Sequence, residues 1–138
     1  MKVIKYEYFI SHSLLPKEFI YPADYKLFVD QEKPYEIDFR PWDFYCSMLD
    51  AHFRGLNKRY PDKVLIPFAQ RIDNDDVACF DGAENTGNPR VLIIHDFTSP
   101  GWENRGILNN FTEWLHLAKE ESKEWKEFHK NKYGMNPE

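Results

Sequence analysis

Residues 64–97 of this chain read VLIPFAQRIDNDDVACFDGAENTGNPRVLIIHDF, and this stretch decides the fold. It contains three short apolar runs, 64–69, 77–80 and 91–95, rich in residues that favour β-structure. An acidic turn separates the first two runs, and a loop rich in glycine and asparagine separates the last two. The stretch therefore predicts an antiparallel meander. Its last run is apolar on both faces, which is typical of a strand covered on both sides.

The segments around the meander alternate between strand-like and helix-like patterns. Alternation predicts strands over residues 3–10 and 35–39. Helical spacing predicts helices over residues 22–31, 42–58 and 110–132, the last with a capping box of Asn110 and Glu113. Residues 98–106 read as a turn-rich loop that carries Trp102. The pattern predicts a single α+β domain with a mostly antiparallel sheet flanked by helices. The predicted core joins the meander to the last helix through Phe68, Val91, Ile93, Trp114 and Leu115.

Composition narrows the class of protein. A chain of 138 residues with 42% hydrophobic and 17% aromatic residues is one globular domain with a sizeable core. The net charge of −5 argues against direct nucleic-acid binding, because such proteins concentrate lysine and arginine. The two cysteines, Cys46 and Cys79, are too few for a disulfide framework and indicate buried thiols in a reducing compartment. Without a signal-peptide core or an apolar run of membrane-spanning length, the expected location is the cytoplasm.

No residue pattern in the chain predicts catalysis or a metal site. The run Asp73-Asn74-Asp75-Asp76 begins like a calcium loop, but Val77 and Ala78 occupy the positions of the next ligand and the glycine. His95 and Asp96 form a lone pair without a second ligand cluster. Glu113 and His116 make only half of a di-iron motif. We therefore expect no cofactor, no metal and no enzymatic activity.

The net charge is concentrated on the two loops of the meander. Residues 70–89 carry five acidic side chains and only one basic one, whereas the rest of the chain is nearly balanced. Charged and aromatic residues on loops over a rigid sheet are a common layout for recognition. We therefore predict a surface that binds a basic protein partner; a purely solubilising role for the carboxylates is the alternative. The predicted partner-binding residues are Asp73, Asp75, Asp76, Asp81, Glu84 and Trp102.

Several motifs, taken in order, resemble the SUKH superfamily. Residues 60–69 and 73–81 are similar to its central strand-turn-strand signature, and residues 22–29 to its N-terminal helix motif. Residues 91–97 and 110–115 resemble its last strand and its closing helix. The likeness spans about residues 20–120, with Asp and Asn replacing the glycines common in the polar turn. It implies one α+β domain that binds proteins without catalytic residues.

The resemblance also implies a biological role. Bacterial members of this superfamily are typically immunity proteins that neutralise polymorphic toxins, many of them nucleases. Since a nuclease is basic where it grips phosphate, carboxylates on an inhibitor would compete for that surface. Fungal members act as scaffolds in the regulation of cell-wall synthesis, which is one alternative. A small-ligand-binding or enzymatic domain that uses His95, Asp96 and Trp102 is another, and a deep pocket around these three residues would favour it.

Overall fold

The structure, a computed structural model, describes residues 8–45, 48–99 and 101–133, without the side chains of Tyr35 and of residues 131–133. Five strands form one antiparallel sheet in the order β1-β2-β3-β4-β5: β1 Trp42–Phe44, β2 Leu65–Arg71, β3 Asp76–Asp81, β4 Val91–His95 and β5 Asn104–Leu108. Three α-helices accompany them: α1 Ala23–Glu32, α2 Leu49–Arg59 and α3 Phe111–Tyr133. The predicted α+β class, the meander and the long C-terminal helix are confirmed.

The centre of the sheet is β3, where residues 77–80 are all buried. The predicted last run of the meander, β4, lies one position further out, with Leu92 and His95 only half-buried. The acidic turn and the glycine-rich loop stand where the sequence predicts them, between β2 and β3 and between β3 and β4. Short polar connections of this kind let consecutive strands pair directly.

An aromatic cluster joins the sheet to α1 and α3. The Phe68 ring stacks on Phe80 at 4.4 Å and meets the edge of Trp114 at 4.7 Å. Tyr25 from α1 contacts Phe80 at 5.1 Å and Phe111 at 5.1 Å. The predicted core is confirmed: Phe68, Val91, Ile93 and Trp114 are buried, and Leu115 packs half-buried against them. Edge-to-face and offset contacts of this kind stabilise the core beyond simple burial of area.

Helix α3 begins where the sequence predicts it. The Asn110 side-chain oxygen accepts the Glu113 backbone N–H at 2.9 Å, which satisfies one of the free donors of the first turn. The predicted apolar face runs through Phe111, Trp114 and Ala118, all buried. Phe128, at the end of the predicted face, is 57% exposed.

Two predicted elements in the first half of the chain are wrong. The predicted strand over residues 35–39 is replaced by a 3₁₀ turn at Pro34–Glu36. The turn forms because Pro34 suits the first helical position and the Ile37 N–H donates to the Pro34 carbonyl at 3.2 Å. The predicted helix over residues 42–58 divides: residues 42–44 form β1 against Ala69–Arg71, and the helix begins at Leu49. Helical spacing did not distinguish these states, because Trp42, Tyr45 and Leu49 are all buried, although Trp42 belongs to a strand and Leu49 to a helix.

The structure also differs from two predictions made for residues 98–106 and 3–10. Residues 104–106, predicted as the end of the loop 98–106, instead belong to β5 (Asn104–Leu108), because pairing with β4 satisfies a backbone whose side chains are mostly exposed. Of the strand predicted over residues 3–10, residues 3–7 lie outside the described residues, and residues 8–10 form no strand. Cys46 also lies outside the described residues, whereas Cys79 is a buried free thiol in β3, as predicted.

An ion pair in the connection between α1 and β1 makes the free energy of unfolding depend on pH in the acidic range. Arg40 donates to Asp38 from Nε at 2.9 Å and from Nη2 at 2.7 Å, and these bonds lower the pKa of Asp38 to about 2. A carboxyl group with a depressed folded pKa stabilises the fold above its unfolded pKa, near 3.8, and loses this contribution as the pH falls towards 2. Lys126 of α3 donates to the Asp38 carbonyl at 2.8 Å, so the pair sits where the connection meets the last helix.

Replacing Asp38 with asparagine is expected to lower the free energy of unfolding by about 1 kcal/mol at pH 6, a discounted value because both side chains of the pair are partly exposed. The difference from the unmodified protein should shrink towards zero between pH 4 and pH 2, the window between the unfolded and folded pKa values. Urea unfolding across this range measures it. Asp30→Asn, in an exposed position of α1, is the matched control. A difference that stays constant with pH would contradict the assignment.

Candidate functional site

Two connections meet at one end of the sheet. The acidic turn, residues 72–75, joins β2 to β3, and the aromatic loop, residues 96–103, joins β4 to β5. Asp76, the first residue of β3, lies opposite His95, the last residue of β4, so the two connections are neighbours. The Asp96 N–H donates to the Asp75 carbonyl at 2.9 Å and ties them together. They form one continuous surface, called here the turn–loop surface.

The aromatic loop presents two large rings to solvent. Phe97 is 71% exposed and Trp102 is 75% exposed. Phe97 has a left-handed backbone with φ of 56°, which is uncommon for a residue with a bulky side chain. Gly101 also has a positive φ, 94°, which glycine adopts without strain. The loop therefore turns tightly at each side and keeps both rings out of the core.

A buried carboxylate anchors the start of the aromatic loop. Asp96, 5% exposed, accepts two hydrogen bonds from the Arg59 guanidinium of α2, at 2.8 and 2.6 Å. It also accepts the Phe97 N–H at 2.9 Å. The Arg59 guanidinium lies 4.3 Å from the centre of the Phe97 ring, within reach of a cation–π interaction. Arg59 therefore contacts both the carboxylate that accepts the Phe97 N–H and the ring of Phe97 itself.

A second buried carboxylate anchors the end of the loop. Glu103, 5% exposed, accepts a hydrogen bond from Lys63 at 2.9 Å and from the Gly101 N–H at 2.8 Å. The Lys63 ammonium, together with the backbone N–H groups of Glu103 and Gly101, holds the pKa of Glu103 below its usual value. Asp96 and Glu103 are the buried carboxylates among the described residues, and they bracket the segment that carries Phe97 and Trp102. The exposed aromatics therefore stand on a braced loop.

The predicted partner-binding residues do not share one surface. Asp73, Asp75, Asp76 and Trp102 lie on or beside the turn–loop surface. Asp81 and Glu84 lie at the opposite end of β3, about 20 Å away for a strand of six residues. There Arg90 pairs with Asp81 at 3.2 Å and with Glu84 at 3.0 Å.

Ion pairs neutralise much of the acidic character seen in the sequence. Arg71 donates to both oxygens of Asp73, at 2.8 and 2.9 Å, and lowers the pKa of Asp73. Asp76 contacts His95 at 2.8 Å and Arg105 at 3.5 Å. Asp75 is exposed and has no ion-pair partner among the described residues. Of the predicted carboxylates, the fold leaves Asp75 free to meet a partner.

His95 and Asp96 belong to separate interactions. His95 pairs across the strands with Asp76, whereas Asp96 pairs with Arg59. Cavities of about 430 and 530 Å³ flank the Arg59–Phe97 contact, and both are lined by these two residues. Asp96 lines the smaller one, but neither cavity is lined by His95 or Trp102. The three residues of the enzymatic alternative do not converge on either cavity.

The described residues offer little else for covalent or metal chemistry. Burial raises the pKa of the Cys79 thiol well above its usual value, so it stays protonated and is a poor nucleophile. Within residues 8–45, 48–99 and 101–133, no group of three His, Cys, Asp or Glu side chains is placed to hold a metal ion. The Asn74 side-chain oxygen instead accepts the Asp76 N–H at 2.8 Å, the local bond of an ordinary hairpin turn.

Sequence reasoning missed Arg59, Lys63 and Phe97 as parts of the site. Arg59 and Asp96 are 37 positions apart, and Lys63 and Glu103 are 40 apart, so only the folded chain brings them together. Phe97 lies two residues beyond the predicted apolar run 91–95, and its place just after the His-Asp dipeptide was a usable signal of a loop.

Comparisons with known proteins add no relative. No protein-family model, no curated protein and no solved structure matches this chain. In the described part of the chain, each helix is too short or too polar to cross a lipid bilayer.

Proposed function

We propose that this protein is a non-catalytic binding domain that recognises a basic protein partner through the turn–loop surface. The observation that carries the proposal is the pair of exposed rings, Phe97 and Trp102, on a loop braced by two buried carboxylates. A large ring left in water gains free energy when a partner covers it, and aromatic residues are enriched where partners bind most tightly. Bracing reduces the entropy lost on binding, because the loop is already ordered.

The charge around the rings favours a basic partner. The carboxylates of this surface are Asp73, Asp75, Asp96 and Glu103, and their ion-pair partners are three cations, Arg71, Arg59 and Lys63, which leaves an excess of one carboxylate, that of Asp75. An unpaired rim carboxylate such as Asp75 acts mainly by steering association.

We propose further that the partner is a toxin domain and that the protein acts as its immunity protein in the cytoplasm. The SUKH-like order of motifs supports this role, as does the fit between an acidic surface and a basic, phosphate-gripping enzyme. The partner for a test is therefore any toxin-like protein that the genes beside this one encode. Its absence from the neighbourhood would favour the scaffold alternative.

Trp102→Ala is expected to weaken binding of that partner about 30-fold, the effect of losing an aromatic hot spot of about 2 kcal/mol. Titration calorimetry with the purified toxin domain measures the change. Phe128→Ala removes a comparably exposed ring from the far end of α3 and is the matched control. Equal affinity for both variants would mean that the partner docks elsewhere.

Asp75→Asn tests the electrostatic contribution to the proposed binding separately from the contribution of the aromatic rings. We expect slower association and a weaker dependence of the association rate on salt, with little change in the dissociation rate. Asp30→Asn on α1 is the control, and stopped-flow mixing at several salt concentrations is the measurement. Asp75 suits this test better than Asp73 or Asp76, whose carboxylates hold other side chains in place.

A further inference from the structure

A cavity of about 500 Å³ lies between α3 and the connection that joins α1 to β1. Its lining comes from the end of α1, from residues 37–39 and from one face of α3 between Lys119 and Glu127. Among the described residues, it shares no lining residue with the two cavities beside the Arg59–Phe97 contact. Its volume is within the range of small-molecule sites, about 300–1,000 Å³. The cavity is therefore a second candidate site, separate from the turn–loop surface.

The cavity has an apolar wall and a hydroxyl without a partner. Ile37 and Phe39 of the connection form the apolar wall. Ser122 of α3, 5% exposed, also lines the cavity, and its Oγ has no hydrogen-bond partner among the described residues. Leaving a buried hydroxyl unpaired costs free energy. Rotation about the χ1 torsion redirects Oγ without moving the helix backbone, so a polar ligand atom in the cavity would supply the missing bond.

Three lysines of α3 stand around the cavity. Lys119, Lys123 and Lys126 follow one another at spacings of four and three residues, which places them on one face of the helix. Lys119 and Lys123 are exposed and have no ion-pair partner among the described residues. Lys126 donates to the Asp38 carbonyl at 2.8 Å, which occupies one of its N–H groups. The three ammonium groups therefore have donors left for an anion.

The carboxylates at the cavity do not cancel this charge. Asp38 is already bound through both oxygens by Arg40, at 2.9 and 2.7 Å. Once Asp38 is counted with Arg40, the three ammonium groups face two carboxylates, those of the exposed Glu32 and Glu127. A cationic ligand would meet this excess of positive charge, and a neutral apolar ligand would leave the Ser122 hydroxyl unpaired. The cavity therefore favours an anion with an apolar body.

We propose that this cavity binds a carboxylate that carries a hydrocarbon chain of medium length. One carboxylate oxygen accepts the Ser122 hydroxyl, and the other accepts from the ammonium groups of Lys119 and Lys123, which flank Ser122 along α3. The chain lies against Ile37 and Phe39, and its burial supplies most of the binding free energy. A chain of about eight carbons fits a cavity of this volume. This inference does not depend on the proposed partner of the turn–loop surface.

Titration calorimetry of the purified chain with sodium octanoate tests the site. We expect one octanoate per chain and a Kd on the order of 100 µM, which an efficient ligand of about ten non-hydrogen atoms reaches. Octan-1-ol has the same chain without the charge and should bind about ten-fold more weakly, because hydrogen bonds to a charged acceptor are stronger. Acetate, which lacks the chain, should show no binding at the same concentrations. Equal affinity for octanoate and octan-1-ol would show that the lysines play no part.

Two substitutions test the polar contacts. Lys123→Met keeps the length of the side chain and removes the charge, and it should weaken octanoate binding about five-fold while leaving octan-1-ol binding unchanged. Ser122→Ala should weaken octanoate binding about ten-fold and raise the midpoint of urea unfolding without ligand, because it removes an unpaired buried hydroxyl. A purely structural role for Ser122 would not move affinity and stability in opposite directions. Lys58→Met, exposed on α2, is the matched control and should change neither affinity.

Amide chemical shifts in nuclear magnetic resonance spectra locate the bound octanoate. We expect the largest changes in residues 37–39 and 119–127. Phe97 and Trp102 are a competing exposed apolar surface, so changes centred on residues 96–103 would mean that these rings capture the chain instead. No binding of octanoate up to about 5 mM, equal effects of Lys123→Met and Lys58→Met, or shifts centred away from the cavity would each overturn the proposal.

Discussion

Replacing Trp114 with alanine is expected to lower the free energy of unfolding by about 3–5 kcal/mol, the cost of removing a fully buried large aromatic side chain. Trp114 has no exposed surface, and its ring meets Phe68 at 4.7 Å, Trp42 at 5.3 Å and Phe44 at 5.6 Å. It therefore joins α3 to both β1 and β2. The surrounding rings are too stiff to close the cavity that the substitution leaves, so little of the lost contact is recovered.

Urea unfolding followed by circular dichroism measures this loss, and Trp114→Phe is the control. Phenylalanine keeps most of the ring and removes the indole N–H, which has no hydrogen-bond partner among the described residues. We expect the phenylalanine variant to lose only about 1 kcal/mol, because the smaller cavity is offset by removal of an unpaired donor. A loss below about 1 kcal/mol for the alanine variant would mean that α3 docks through another face.

Replacing Asp96 with alanine is expected to cost about 3 kcal/mol, at the low end for breaking a buried ion pair. The low end applies because the Arg59 side chain is 35% exposed and can turn to water, whereas that of Asp96 is only 7% exposed. The substitution also frees the Phe97 N–H and removes the anchor at the start of the aromatic loop. We therefore expect both lower stability and faster amide exchange across residues 97–102.

The double-mutant cycle with Arg59→Ala separates the ion pair from simple truncation. If the pair carries the effect, the double variant should be more stable than the sum of the two single losses predicts, by about 1–2 kcal/mol. Asp62→Ala, an exposed partner of Lys63, is the control for a surface carboxylate and should cost less than about 0.5 kcal/mol. Additive losses across the cycle would show that Asp96 acts through packing alone.

The meander was predictable because each of its signals is local. Apolar runs of strand length, an Asp-Asn turn and a glycine-rich loop each restrict only a few neighbouring residues, so a single sequence contains the information. The start of α3 was predictable for the same reason, since the Asn110–Glu113 cap spans one helical turn. By contrast, β1 and β5 form because of what lies beside them. Trp42–Phe44 pairs with residues 69–71, and Asn104–Leu108 pairs with β4, in spite of patterns that favour helix or loop.

The sequence by itself determined the α+β class, the concentration of carboxylates on two loops and the presence of an aromatic residue, Trp102, near one of them. Only the tertiary structure decided which of these residues share a surface. It separated Asp81 and Glu84 from Asp75 by the length of β3, and it paired Asp73, Asp81 and Glu84 with arginines. It also set Arg59 beneath Phe97 and Lys63 beneath Glu103. The physical reason is that charge and exposure depend on neighbours in space, and contacts between residues 37 and 40 positions apart exist only once the sheet has formed.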